Sequence, residues 1–91
     1  MPSESSTCLG AVMYTVDAAD TGPPWPAPCL GVGGVVRLEN VGPGELSEDP
    51  VDAVSCFYAA GVHECRLLRA GTVQLTVTRD EQTRSLTVVV T

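Results

Sequence analysis

Four cysteines are the residues of this chain whose chemistry depends most on spacing: Cys8, Cys29, Cys56 and Cys65. Zinc sites usually contain two cysteines separated by roughly two to four residues, and no such pair occurs here. An even number of cysteines in a short chain instead predicts disulfides. Disulfides persist in oxidising compartments, so we expect the protein to work outside the cytoplasm, either secreted or at the cell surface.

The cysteine spacing favours one of the three possible disulfide pairings. Cys8–Cys29 and Cys56–Cys65 would each close a short local loop. Closing loops of this size stabilises a folded chain by about 2–4 kcal/mol per bond. A chain of 91 residues buries little surface for its size, so this gain is a large share of its stability. The two crossed pairings stay open from the sequence alone.

His63 is the one histidine of the chain. A catalytic role would need a nucleophile such as Ser55 or Cys56 and an orienting carboxylate such as Glu64. Neighbouring residues of a strand point to opposite faces, so His63 and Glu64 cannot form that relay. The chain also contains no Gly-x-Ser-x-Gly turn and no lysine. We therefore expect neither enzyme activity nor a cofactor.

Carboxylates cluster in residues 45–52, and glycines cluster in residues 31–34. Calcium binds clustered carboxylates, but this spacing does not match a calcium-binding loop. We interpret residues 45–52 as a solvated acidic loop that can attract a basic partner. The glycines lack the helix and the Lys-Ser/Thr pair of a phosphate-binding loop, so we assign them to the start of a strand. No metal site is expected.

Charge and hydropathy exclude several classes of partner. The chain has 11 acidic and 5 basic residues and a net charge of −6, whereas nucleic acids and anionic lipids require a basic face. No apolar run approaches the roughly 18 residues that span a membrane. A hydrophobic content of 44% predicts a single folded domain over residues 8–91. Residues 1–7 lack the features of a signal peptide, and we interpret them as a flexible linker.

The alternation of apolar and polar residues predicts mostly strands. Residues 51–58 fit either a helix or a strand, and we favour a strand. The last two predicted strands form an antiparallel hairpin around a polar loop at residues 79–84. The pattern predicts an all-β, disulfide-stabilised antiparallel sandwich of six to seven short strands. The clearest strands are predicted at residues 11–17, 35–41, 62–68, 72–78 and 86–91.

Trp25 lies in a proline-rich segment, Gly22-Pro-Pro-Trp-Pro-Ala-Pro, which favours extended backbone outside a central strand. Trp25, flanked by Pro24 and Pro26, could be an exposed binding anchor. The alternative, which we favour, is that Trp25 covers one end of the sandwich. The best candidate contact surface combines this loop with the segment between Cys56 and Cys65, which contributes Phe57, Tyr58 and His63.

Two stretches of the sequence resemble bacterial immunoglobulin-like domains. Leu68-Arg-Ala-Gly-Thr-Val-Gln-Leu-Thr-Val-Thr, followed by Ser85-Leu-Thr-Val-Val-Val-Thr, resembles their closing strands. Gly34-Val-Val-Arg-Leu, after Val32-Gly, resembles their second strand. The resemblance covers about half of the chain, and neither the four cysteines nor the tryptophan loop is typical of these domains. It implies an immunoglobulin-like sandwich that serves as an extracellular spacer, adhesion unit or binding platform.

These observations predict a noncatalytic interaction or sensor module of a larger exported or membrane-anchored bacterial protein. Its ligand would be a protein or a cell-envelope component, and we expect a monomer. The absence of isoleucine and lysine indicates GC-rich coding, as in actinobacteria. A second hypothesis is a secreted inhibitor of a protease or other hydrolase, acting through a disulfide-braced loop at residues 57–64. A third, a carbohydrate-binding module, needs more exposed aromatic residues than this chain offers.

Overall fold

In the part of the chain that the structure describes, the regular structure consists of eight strands and one short 3-10 turn at Val51–Ala53. The computed structural model describes residues 8–20, 25–42, 44–79 and 81–91. None of these residues belongs to a helix that is long and apolar enough to cross a membrane. The strands are β1 Met13–Asp17, β2 Cys29–Leu30, β3 Val35–Glu39, β4 Gly44–Asp49, β5 Val54–Ala59, β6 Val62–Leu67, β7 Gly71–Arg79 and β8 Gln82–Val90.

The strands form two four-stranded sheets. The first sheet has the order β1-β3-β6-β5, and the second has the order β2-β8-β7-β4. β1 runs parallel to β3, and β2 runs parallel to β8, whereas the other pairs are antiparallel. The prediction of a purely antiparallel sandwich was therefore wrong at these two edges. Alternation indicates which face of a strand is buried but not the direction in which an edge strand joins its sheet.

The apolar faces of the two sheets form the core. In the second sheet, Val73 and Leu75 of β7 lie opposite Val88 and Leu86 of β8. Burying one such side chain stabilises the fold by about 1.5–3 kcal/mol. No polar or charged side chain of the described residues is buried. The core consists of Val16, Ala18, Leu30, Val36, Leu38, Val41, Ala53, Val54, Cys65, Leu67, Val73, Leu75, Val77, Leu86, Val88 and Val90.

Two polar segments that were predicted to be loops lie mainly in strands. The acidic segment 45–52 contains most of β4, because Leu46 lies opposite Val77 and packs against the core. Because β4 is an edge strand, its carboxylates are exposed at Glu45 and Asp49 and half-buried at Glu48. The segment 79–84 is also mostly strand, since β7 continues to Arg79 and β8 begins at Gln82. Residues 51–58 divide into the 3-10 turn and most of β5, so the favoured strand is confirmed for the larger part.

The connections define two sides of the sandwich. Residues 8–10 lie beside β2, where Leu9 N donates to Cys29 O (2.8 Å), and the chain then crosses to β1 in the other sheet. The edges formed by β1 and β2 are therefore neighbours, and we call this the β1/β2 side. Only residues 50–53 separate β4 from β5, so their edges form the opposite, β4/β5 side. The linker expected at residues 1–7 lies outside the described residues.

Candidate functional site

Both disulfides of the structure join the pairs that loop length favoured. The Cys8–Cys29 bond ties residues 8–10 to the start of β2. Cys56 lies directly opposite Cys65 in the β5–β6 pair, so the second bond crosses two neighbouring strands. No described cysteine is free. Two disulfides in so small a chain indicate an oxidising environment.

Trp25 is half-buried and packs against the core. The guanidinium of Arg84 lies 4.3 Å from the centre of its ring. Arg84 also donates a hydrogen bond to the carbonyl oxygen of Asp20, so it contacts residues on both sides of positions 21–24. This environment favours the covering role of Trp25 over the role of an exposed anchor. Pro26 is exposed, and Pro24 lies outside the described residues.

Phe57 and Tyr58 are the two exposed aromatic side chains, each with 60% of its surface accessible. They are consecutive residues of β5 and therefore point to opposite faces of the first sheet. Phe57 lies opposite Glu64, on the outer face. Tyr58 lies opposite His63, and their ring centres are 4.6 Å apart. The hairpin thus presents one aromatic surface on each face of the sheet edge.

The segment 57–64, which the inhibitor hypothesis treats as a disulfide-braced loop, is a β-hairpin. Its turn residues, Ala60 and Gly61, have φ angles of 53° and 80°. Two successive positive φ angles are what a two-residue type I′ turn requires. The strands on either side are paired from Ala59–Val62 back to Val54–Leu67. The two arms of the segment therefore pair with each other up to the turn.

The two parts of the predicted contact surface are positioned by different sheets. Trp25 contacts Arg84 of β8, in the second sheet, and precedes β2. Phe57 and Tyr58 belong to β5, on the β4/β5 side. His63 stays with them, because it pairs with Tyr58. A partner can therefore bind the aromatic hairpin without contacting the tryptophan loop.

β5 forms a free edge of the first sheet, since no other strand of the described residues pairs with its outer side. Cys56 and Cys65 have Cα atoms 3.9 Å apart, which is nearer to the roughly 4.5 Å of a pair without mutual backbone hydrogen bonds than to the roughly 5.5 Å of a hydrogen-bonded pair. Leu68 N donates to Ala53 O (2.9 Å), which fits the same alternation. The hydrogen-bonding groups of Ser55, Phe57 and Ala59 therefore point to β6. Those of Val54, Cys56 and Tyr58 point to the free edge.

Carboxylates lie beside this edge. Residues 44–59 contain Glu45, Glu48, Asp49 and Asp52 and no basic residue. Asp52 forms an ion pair with Arg69 (2.8 Å between Oδ1 and Nη2), whereas the other three belong to β4. Glu48 lies opposite Leu75 and so points from β4 towards the first sheet. The β4/β5 side thus combines an uncharged hydrogen-bonding edge with an acidic neighbouring strand.

His63 and Glu64 are neighbouring residues of β6 and point to opposite faces of the first sheet. Glu64 points to the outer face, away from the ring of His63, and lies 3.9 Å from the guanidinium of Arg37. No group of three or more His, Cys, Asp or Glu side chains among the described residues could hold a metal ion. Asn40 donates a hydrogen bond to the Asp17 carboxylate (3.0 Å) and holds the pKa of Asp17 below its ordinary value. That contact joins the last residue of β1 to the residue that follows β3.

Sequence reasoning missed two features of the site. Arg84 was placed in a polar loop, and nothing in the spacing of Trp25 and Arg84 relates them, because they are 59 positions apart (84 − 25). The free edge of β5 did have a signal, since Val-Ser-Cys-Phe-Tyr-Ala contains no charged residue and no proline. Long edge strands usually contain such protective residues. The absence of charged residues and proline from β5 therefore indicates an exposed edge that can pair with another strand.

Comparisons of this chain with protein-family models, with curated proteins and with solved structures give no match.

Proposed function

We propose that this chain is a noncatalytic interaction module that works outside the cytoplasm and binds a protein or cell-envelope ligand through the β5–β6 hairpin. The observation that carries the proposal is the 60% exposure of both Phe57 and Tyr58 on a hairpin closed by a disulfide. Exposed aromatic side chains on a rigid backbone lose little conformational entropy when they bind. They are therefore effective anchors for a partner.

The strand order supports an immunoglobulin-like architecture. Immunoglobulin domains of the constant type place strands A, B, E and D in one sheet and C, F and G in the other. The order β1-β3-β6-β5 corresponds to the first set, and β8-β7-β4 corresponds to the second. β2 is then an added edge strand beside the last strand. Modules with this architecture commonly present binding surfaces on hairpins and loops.

The disulfides support a location outside the cytoplasm, since a reducing compartment would keep the four cysteines as free thiols. The composition supports a bacterial source with GC-rich coding, as in actinobacteria. The module would then belong to an exported or membrane-anchored protein and meet its ligand at the cell envelope.

A binding comparison tests the proposal. The purified chain is incubated with an actinobacterial cell-envelope fraction, and the retained amounts of three forms are compared. Phe57→Ser/Tyr58→Ser should bind at least about tenfold more weakly than the unchanged chain, because each anchor contributes on the order of 1–2 kcal/mol. The control Val51→Ser/Leu68→Ser, which removes two exposed apolar side chains near the other end of β5, should bind normally. Equal retention of all three forms contradicts the proposal.

A further inference from the structure

We propose that the free edge of β5 accepts an extended, basic segment of the partner as a fifth strand of the first sheet. This inference rests on the proposed function and specifies the chemistry of the ligand. It follows from three properties of the β4/β5 side: unpaired backbone groups, the absence of charge on β5, and the carboxylates of β4.

The backbone groups of Val54, Cys56 and Tyr58 supply the hydrogen bonds. Since the groups of the intervening residues point to β6, these three residues direct their N–H and C=O groups away from the sheet. An added strand can pair with all three, as in other proteins that bind extended peptides at a sheet edge. The Cys56–Cys65 bond holds β5 against β6, so the edge is ordered before a partner arrives.

The other edge strands are less suited to this role. β2 has only two residues, and residues 9 and 10 hydrogen-bond beside it. β1 ends in Asp17, and three of the six residues of β4 are carboxylates. Charged residues on an edge oppose the approach of another strand because pairing would desolvate them. Of the described edge strands longer than two residues, β5 is the one without a charged residue.

The side chains of β5 would make specific contacts with an added strand. Phe57 lies on the outer face of the first sheet. Tyr58 lies on the inner face, which is buried in the core at the start of β5. Residues of the added strand would alternate between these two faces. Aromatic and β-branched residues directly opposite each other contribute roughly 0.2–1 kcal/mol per cross-strand pair. A valine or a similar residue in the added strand can therefore pack against either aromatic ring.

Charge selects a basic strand. Sheets in a sandwich lie about 10 Å apart, so the carboxylates of β4 are close enough to attract cations on a strand that joins β5. Glu48 points from β4 towards the first sheet, which brings its carboxylate nearest to such a strand. A second copy of this chain is a poorer occupant. Pairing two β5 strands would bring together the β4 strands of both copies, each with three carboxylates.

Synthetic peptides test the inference on the whole chain. The probes are capped peptides of about eight residues in which valine alternates with arginine or, in the matched control, with glutamate. NMR hydrogen exchange is measured at each amide. At near-saturating concentration, the arginine peptide should slow exchange at Cys56 and Tyr58 by about tenfold, because bound amides are protected. The glutamate peptide should leave both rates unchanged.

Variants of the chain separate backbone pairing from side-chain contact and charge. Tyr58→Pro removes the N–H at the free edge and should abolish the protection of Cys56 even at raised peptide concentration. Tyr58→Ser keeps that N–H and should show the protection again once the peptide concentration is raised to offset the lost side-chain contact. Circular dichroism checks that both variants are folded. Glu48→Gln should weaken binding of the arginine peptide about twofold to fivefold, and raised salt should remove the difference. Glu39→Gln removes the same charge from β3 and should have no such effect.

Three outcomes overturn the inference. The first is unchanged exchange at Cys56 and Tyr58 with the arginine peptide. The second is equal protection by both peptides, which would remove the role of charge. The third is concentration-dependent self-association in sedimentation experiments that Tyr58→Pro abolishes, since the occupant would then be a second copy. Binding to the cell envelope without protection of these amides contradicts the edge inference alone, whereas peptide protection without envelope binding contradicts the proposed function.

Discussion

Arg84 holds Trp25 in place from a strand that is 59 positions away in sequence (84 − 25), with its guanidinium 4.3 Å from the ring centre. The same side chain donates to the carbonyl oxygen of Asp20. Arg84 therefore links Asp20 and Trp25, which lie on either side of positions 21–24, to β8. This contact holds Trp25 against the core. The exposed aromatic side chains of the domain are therefore Phe57 and Tyr58 and not Trp25.

Removing the Arg84 side chain should expose Trp25. Arg84→Ala removes a cation–π contact of about 0.5–1 kcal/mol and the side chain that covers one face of the ring. We expect the fluorescence of Trp25 to shift to longer wavelength and to be quenched more strongly by acrylamide. Arg66→Ala, an exposed arginine on the first sheet, is the control and should leave both properties unchanged. Identical quenching in Arg84→Ala and the unchanged chain would contradict the assigned contact.

The core of the second sheet should be sensitive to the loss of a single side chain. Leu75 is fully buried at the centre of β7, opposite Leu86. Leu75→Ala should lower the free energy of unfolding by about 2–5 kcal/mol, because it removes packed methyl groups and leaves a cavity. Gln74→Ala, on the exposed face of the same strand, should change it by less than about 0.5 kcal/mol. Urea denaturation measures both, and equal effects would show that the faces of β7 are wrongly assigned.

The alternation of apolar and polar side chains predicted the interior strands better than the edge strands, and burial explains the difference. Val73, Leu75 and Val77 are buried and are separated by polar residues that are exposed or half-buried, so burial itself imposes the period of two. The pattern failed at β4, where one half-buried leucine among carboxylates is enough to hold an edge strand. Edge strands bury little, so their sequences are weakly constrained and resemble loops.

The candidate site was predictable only in part. Phe57, Tyr58 and His63 were identified because their residue types and the nearby cysteines are visible in sequence. The sheet that positions each part of the surface was not, since it depends on the order in which the strands pair. The contact between Trp25 and Arg84 likewise arises from the packing of distant segments. Local patterns do not specify such long-range relationships.

Removing either disulfide should destabilise the domain. The Cys8–Cys29 bond spans 21 positions and the Cys56–Cys65 bond spans 9. Chain-entropy theory assigns each bond about 3 kcal/mol, with slightly more for the longer loop. Replacing both cysteines of a pair with serine should lower Tm by roughly 10–20 °C in either case. Calorimetry measures the shift, and an unchanged Tm in both double variants would remove the physical basis for an oxidising location.

Titration of free thiols provides an independent check on the disulfides. The unfolded, unreduced protein should show no reactive thiol, and reduction should release four. Replacing Cys65 with serine has a second effect on stability besides loss of the disulfide. The Cys65 side chain is fully buried, so serine would place a hydroxyl group in the core. Cys65→Ala with Cys56→Ala is the better pair for comparing loop closure alone. Two or more reactive thiols before reduction would contradict the pairing.

The carboxyl group of Asp17 should make stability depend on pH in the acidic range. Its pKa is lowered from the ordinary value of 3.8, first by the hydrogen bond from the Asn40 side chain and then by that from the Ala19 amide. A lowered pKa in the folded state means that the unfolded chain binds the proton more readily. The stabilising contribution is therefore fully present above pH 3.8 and is lost as the pH falls through the lower folded-state pKa.

Replacing Asn40 isolates this effect. Asn40 has a φ of 62°, so Asn40→Gly removes the donor while keeping a residue that adopts the left-handed backbone without strain. The pKa of Asp17 should rise towards its ordinary value but stay below it, because the Ala19 amide still donates. NMR titration of the carboxyl carbon measures the change. Since Asp17 is solvent-exposed, a small effect on stability is expected, and the titration is the decisive measurement. An unchanged titration curve for Asp17 would mean that Asn40 does not bind its carboxylate in solution.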